Sequence, residues 1–306
     1  MGVTTPGEAP RRNPGPSWGY GFLRAADFVL PEWLFRPMRG AGTLIAIAAM
    51  PVQRRHSRDY LGVVLGREPT LREVFRHFFT FEEALMRRLR LANGRHYECE
   101  YDDGARAFRT WMDEQTPVLL GTMHVGASDM LGFQLARRLR NPIYLVRLRV
   151  ANSHDTDALA NRLGSSLRFI WVNEPQEMLY ALKDALGGPS AVAVQCDRVE
   201  QGARTEAFEF LGEKRLFPFT IYHLALIFNR PVLMSFGVPV PGGRSRLFAS
   251  DIFRPDPAET RDAALGRARV HFQEFLLLLE SKLREDPYLW FNFTQLNPVA
   301  GARPDN

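Results

Sequence analysis

The chain has 306 residues, 45% of them hydrophobic and 24% charged, which suits one large globular domain, or one with an appended segment, and excludes global disorder. The net charge is +5, and arginine carries nearly all of the positive charge, since Lys183, Lys214 and Lys282 are the only lysines. Arginine forks favour an anionic partner, whether nucleic acid, anionic membrane or acidic protein, while the two cysteines, Cys99 and Cys196, imply neither a disulfide framework nor a zinc site and fit a reducing compartment.

Residues 1–17 are rich in Pro, Gly and Arg and read as a flexible tail. They lack the apolar core of a signal peptide. Residues 18–100 form an N-terminal helical, membrane-associating or body-packing segment. Its aromatic and apolar stretch, 18–52, is interrupted by Arg24, Asp27, Glu32, Arg36 and Arg39. Its longest apolar run, 43–52, is far short of the roughly 20 residues needed to cross a bilayer. The stretch can pack on the body, or lie in a membrane interface with its arginines toward lipid phosphates. A helix follows, opened by the capping-box pair Thr70 and Glu73 and stopped by "ANG" at 92–94.

From Pro117 short apolar runs alternate with helical stretches. Strands are expected at 117–123, 142–148, 167–172, 190–195 and 231–238, with further ones within 206–211 and 246–250. Helices are expected at 128–140, 156–164, 175–188 and 219–229. A final helix from about 258 to 284 is ended by Pro287. The alternation predicts an α/β core over 101–298, with a mostly parallel central sheet flanked by helices, and a tail at 299–306. Ligands in such sheets gather outside the carboxyl ends of strands. His124 follows one strand. Asp197 and Arg198 follow another.

His124 and Asp129 would lie roughly 140° apart on a continuous helix and could not easily meet. Gly126 makes a loop the better expectation, with Ser128 or Asp129 at the start of the next helix. A carboxylate on one imidazole nitrogen fixes the tautomer and leaves the other as a base. The plain alternative is a capping Asp beside a partly buried His. Ser128 has a glycine two residues before it, as a nucleophile elbow does, but Met130 stands where the second glycine belongs. No nucleotide-binding glycine motif occurs. Asp155 and Asp157 read better as helix caps than as metal ligands.

H-x-x-x-x-D is also the signature of the glycerolipid acyltransferase superfamily. "YLGVVLGREPTLREVFRHFFTFEEALMRRL", "GTMHVGASDMLGFQLARRL", "QCDRVEQGARTEAFEFLGEKRLFPFTIYHLALIFNRPVLMSFGVP" and "DPYLWFNFTQLNP" resemble the lipid A biosynthesis (lauroyl/myristoyl) acyltransferase family, with the blocks in order from about 18 to 298. The resemblance implies an acyltransferase-like fold. It implies an acyl group moved from acyl carrier protein, less readily acyl-CoA, to a hydroxyl or amine of a lipid or glycolipid. It also implies work at the cytoplasmic face of the bacterial inner membrane, with no metal, no cofactor beyond the acyl thioester, and no nucleic acid. His124 would be the general base and Asp129 its orienting partner. Arg162 would assist the active site, and Asp197 and Arg198 would lie near the acyl or headgroup pocket. Asp129 stands where lipid A enzymes usually have glutamate, Arg198 where many relatives have glutamine, and Thr220 where they often have glycine. Two other readings stay open: a serine thioesterase or lipase using Ser128, and an inactive module that binds lipid or carrier protein.

Overall fold

The computed structural model describes residues 17–147, 164–199 and 204–301. The helix expected at 156–164 and Arg162 lie outside the described residues. Four helices lead: α1 (Ser17–Val29), α2 (Glu32–Ala49), α3 (Pro51–Leu65) and α4 (Leu71–Ala92). The Thr70–Glu73 capping box forms in both directions at the start of α4. Then come β1 (Cys99–Tyr101), α5 (Arg106–Glu114), β2 (Val118–Thr122), α6 (Ser128–Ala136), β3 (Ile143–Arg147), β4 (Leu167–Trp171), α7 (Pro175–Gly187) and β5 (Ala191–Gln195). The chain continues through β6 (Thr205–Phe210), β7 (Glu213–Pro218), α8 (Thr220–Phe228), β8 (Val232–Pro239), β9 (Ser245–Phe253) and α9 (Arg261–Glu285).

Seven strands form the central sheet in the order β1-β9-β8-β2-β5-β3-β4, parallel at every pair except β8–β9. This is the α/β architecture with a mostly parallel, helix-flanked sheet that the alternation predicts. Central strands of such a sheet are buried on both faces, hence their continuous apolar runs. On β2, Leu119 faces one core cluster, with Tyr222, Phe272 and Phe275. Val118 and Leu120 face the other, with Phe108, Trp111 and Phe133.

Three elements escaped the sequence reading. β1 is only three residues long and pairs at the sheet edge with β9. α5 is a nine-residue helix with no side-chain cap. β7 pairs with β6 in a hairpin outside the main sheet, and Leu211 and Gly212, both at positive φ, make its turn. Positive φ at both turn residues matches the strand twist, but Leu-Gly is a weak turn signal.

The charges that interrupt the N-terminal apolar stretch have an internal use. Buried Arg39 bonds Glu82 at 2.7 Å and Glu32 at 2.5 Å, and Arg36 bonds Glu83 at 3.1 Å. Arg90 grips Asp27 and Glu32. Burial pushes the Glu82 carboxyl up to about 7, against the pull of Arg39. Arg36 and Arg39 thus hold α2 to α4 rather than reaching outward. On α2, Phe35, Arg39 and Thr43 are buried. Trp33, Leu34, Met38, Leu44 and Ile45 occupy an arc of about 140° on the other side and are exposed.

Candidate functional site

β2 and β5 are adjacent and parallel, with Thr122 level with Gln195. The next strand after β2 lies toward one edge of the sheet and the main-sheet strand after β5 toward the other, so their carboxyl ends meet where strand order reverses. His124 and Asp197 each lie two residues past those ends. His124 Nδ1 is 2.8 Å from Asp197 Oδ1, and the His124 backbone N–H donates to Oδ2 at 2.9 Å. Trp290 Nε1–H donates to the same Oδ2 at 2.9 Å. Asp197 is fully buried, whereas the His124 side chain keeps 18% of its surface in contact with solvent.

The loop that carries His124 is fixed by three backbone hydrogen bonds, two to the closing segment and one to β8. Gly126 N–H donates to the Leu289 carbonyl, Phe291 N–H to the His124 carbonyl, and Ala127 N–H to the Gly237 carbonyl, each at 2.8 Å. Arg198 reaches across to the Phe291 carbonyl at 2.9 Å. Gly126 adopts φ +50°, and a Cβ there would sit 2.5 Å from the Gly237 oxygen. Both facts demand glycine.

Burial alone would push the Asp197 carboxyl up. The His124 ring beside it, then Arg198 and the Trp290 indole N–H, hold it well below its ordinary value. A carboxylate that only accepts fixes the proton on His124 Nδ1 and leaves the lone pair on Nε2. Chemically, that is an oriented base.

Asp197, which the sequence reading set near a binding pocket, is thus a carboxylate on Nδ1, the role that reading gave to Asp129. The physical reason is sheet pairing, which brings the ends of β2 and β5 together across 73 residues. Asp129 is the second residue of α6, and its side chain lies outside the described residues. Arg198 sits at the site but holds the segment that carries Trp290, a contact no motif announced. Trp290 is 93 residues from Asp197, and only its place in the "PYLWFNF" block pointed toward it.

Ser128 is buried and fully engaged. Its hydroxyl donates to the Val125 carbonyl at 2.6 Å and accepts from Gly237 N–H at 3.1 Å. A hydroxyl committed in this way splints the loop. Ser128→Ala should lower stability by about 1–3 kcal/mol, by leaving the Gly237 N–H and Val125 carbonyl short of a partner. It should leave turnover per folded molecule within about twofold of wild type, as thermal unfolding and kinetics on the soluble fraction will read. A collapse of turnover with native stability would make Ser128 the nucleophile. Burial pushes the Cys99 thiol up to about 11 and the Cys196 thiol higher, so neither suits nucleophilic work.

Beneath α6 runs a narrow apolar cavity, bounded by Leu120, Thr122, Leu131, Leu145, Ala193 and Gln195. Its Thr122 and Gln195 end lies at the strand termini that precede the dyad. Among the described residues no group of His, Cys, Asp and Glu side chains is arranged to hold a metal ion. No family model matches the chain, and comparison with curated proteins finds no match.

Proposed function

We propose that the chain is a membrane-peripheral acyltransferase that moves a fatty acyl group from a carrier-protein thioester to a hydroxyl or amine of a lipid or glycolipid. The observation that carries this reading is the pairing of His124 Nδ1 with a fully buried, ionised Asp197 beside an apolar cavity. His124 Nε2 takes the proton of the acceptor hydroxyl as its oxygen forms a bond to the thioester carbonyl carbon. The carbonyl electrons move to oxygen. As they return, the carbon–sulfur bond breaks and the imidazolium gives its proton to the departing thiolate. No covalent acyl-enzyme forms. Thioester exchange is thermodynamically easy, and the base is needed because an acceptor hydroxyl is overwhelmingly protonated near neutral pH. The arginine surplus suits an acidic carrier protein, and the cavity, about 50 Å³, is apolar like a hydrocarbon subsite but must widen to take a whole acyl chain.

The test is transfer from lauroyl-, myristoyl- and palmitoyl-loaded acyl carrier protein to a panel of lipid acceptors. Acyl-CoA is tried in parallel. Binding to lipid with no turnover on any thioester would instead leave an inactive lipid-binding module.

The exposed apolar side of α1 and α2 supports the peripheral placement. Phe28 is 92% exposed, Trp33 76% and Ile45 70%, with Arg55 also exposed on α3. Such a patch marks an interaction surface. Among the described residues no helix is long and apolar enough to cross a membrane, so this side would lie along the bilayer. Phe28→Ser/Trp33→Ser should weaken sedimentation with anionic vesicles about tenfold or more, with turnover on a detergent-dispersed acceptor unchanged. Equal vesicle binding by the double variant would remove the membrane from this reading.

A further inference from the structure

We infer that Trp290 is a positioning residue for the His124–Asp197 pair, and that His77 on α4 and Ser57 on α3 hold Trp290 in place. The inference rests on the reading of His124 as the base. Asp197 is a buried carboxylate whose Oδ2 receives two N–H groups, one from the His124 backbone and one from the Trp290 indole. Those two bonds leave Oδ1 turned toward the His124 ring.

Trp290 is itself fully buried, and its ring is gripped from two directions. Tyr60 meets it edge-on at 5.2 Å and Phe210 at 5.5 Å. Its backbone carbonyl is 2.9 Å from His77 Nε2, and His77 Nδ1 is 2.8 Å from Ser57 Oγ. A carbonyl only accepts, so Nε2 carries the proton. Nδ1 must then accept from the Ser57 hydroxyl. Burial pushes His77 down to about 4, against the pull of the Trp290 carbonyl, so the ring is neutral at working pH and this tautomer persists. Ser57 and His77 are fully buried. One chain of hydrogen bonds thus runs from α3, through α4 and the closing segment, to Asp197, which accepts from both Trp290 and the His124 ring. Partners behind an orienting group fix its geometry as firmly as direct contacts do.

Trp290→Phe keeps the ring and deletes only the N–H donor. It should lower kcat about tenfold while the KM for thioester and acceptor stays within about twofold. His77→Leu, which cannot donate to the Trp290 carbonyl, should lower kcat in the same sense. His77→Gln, whose amide N–H can donate there, should restore most of the loss. A second readout needs no turnover: the low-field Nδ1–H proton resonance of His124, assigned by its loss in His124→Gln, should move in Trp290→Phe. An unmoved resonance with unchanged kcat overturns the positioning role. If wild type turns over no thioester, the acyltransferase reading falls, yet the resonance still decides the inference. If Trp290→Phe fails to fold, indole N–H exchange in the wild-type chain decides it, since slow exchange is expected and fast exchange would refute the bond to Asp197.

Discussion

His124→Ala is expected to lower kcat by about a hundred- to ten-thousandfold, with KM for the acyl thioester little changed. The base acts only as the proton moves, so its loss falls on the transition state rather than on binding. Alanine also leaves Asp197 without the cation-forming ring that helps keep it ionised in a fully buried position. The His124→Gln variant separates the two effects, because its amide can still donate toward Asp197 yet cannot serve as a base near neutral pH. Both variants should be equally inactive, and glutamine should be the more stable of the two on thermal unfolding. Transfer by either at the wild-type rate would end the mechanism.

Asp197→Asn is expected to cost at least as much, about a thousand- to ten-thousandfold in kcat, as loss of the orienting carboxylate does in an analogous triad. The amide presents an N–H2 as well as an oxygen. Around it stand two N–H donors, from the His124 backbone and Trp290, and the ring Nδ1. Where the amide donates to Nδ1, the ring proton moves to Nε2 and the base is lost. The double variant His124→Ala/Asp197→Asn should be little worse than His124→Ala, because the two side chains act as a unit. The sign of the pH effect on folding is also fixed. The Asp197 carboxyl is depressed in the folded chain, so its contribution is complete above the unfolded value of 3.8 and is lost as pH falls below it. Acid unfolding of Asp197→Asn should therefore fall less steeply below about pH 4 than that of wild type. Parallel acid limbs would argue against an ionised Asp197 in the folded chain.

Much of the architecture was legible in the sequence because it rests on local physics. Thr70 and Glu73 announce the start of α4, and the apolar runs of β2, β5 and β8 announce strands buried on both faces. β1 and α5 stayed hidden because a three-residue strand and an uncapped nine-residue helix carry too little pattern. Within the site, the spacing rule that placed His124 and Asp197 at strand ends was sound. Pairing them was beyond it, since which strands become neighbours is decided by tertiary packing. The orienting role expected of Asp129 rested on the Gly126 loop and the H-x-x-x-x-D pattern, and it falls on a side chain outside the described residues. Ser128 shows the converse: its context resembled a nucleophile, whereas its two hydrogen bonds to Val125 and Gly237 are those of a loop splint.

The closing segment has a bearing on folding. Leu289, Trp290 and Phe291 bond the loop of His124 and the carboxyl group of Asp197, although every strand of the sheet is complete by Phe253. Domains generally fold as units, so the closing segment is part of the same folding event as the sheet it completes. The loop of His124 and the carboxyl of Asp197 thus have their full set of hydrogen bonds only when residues 289–291 are folded onto the sheet.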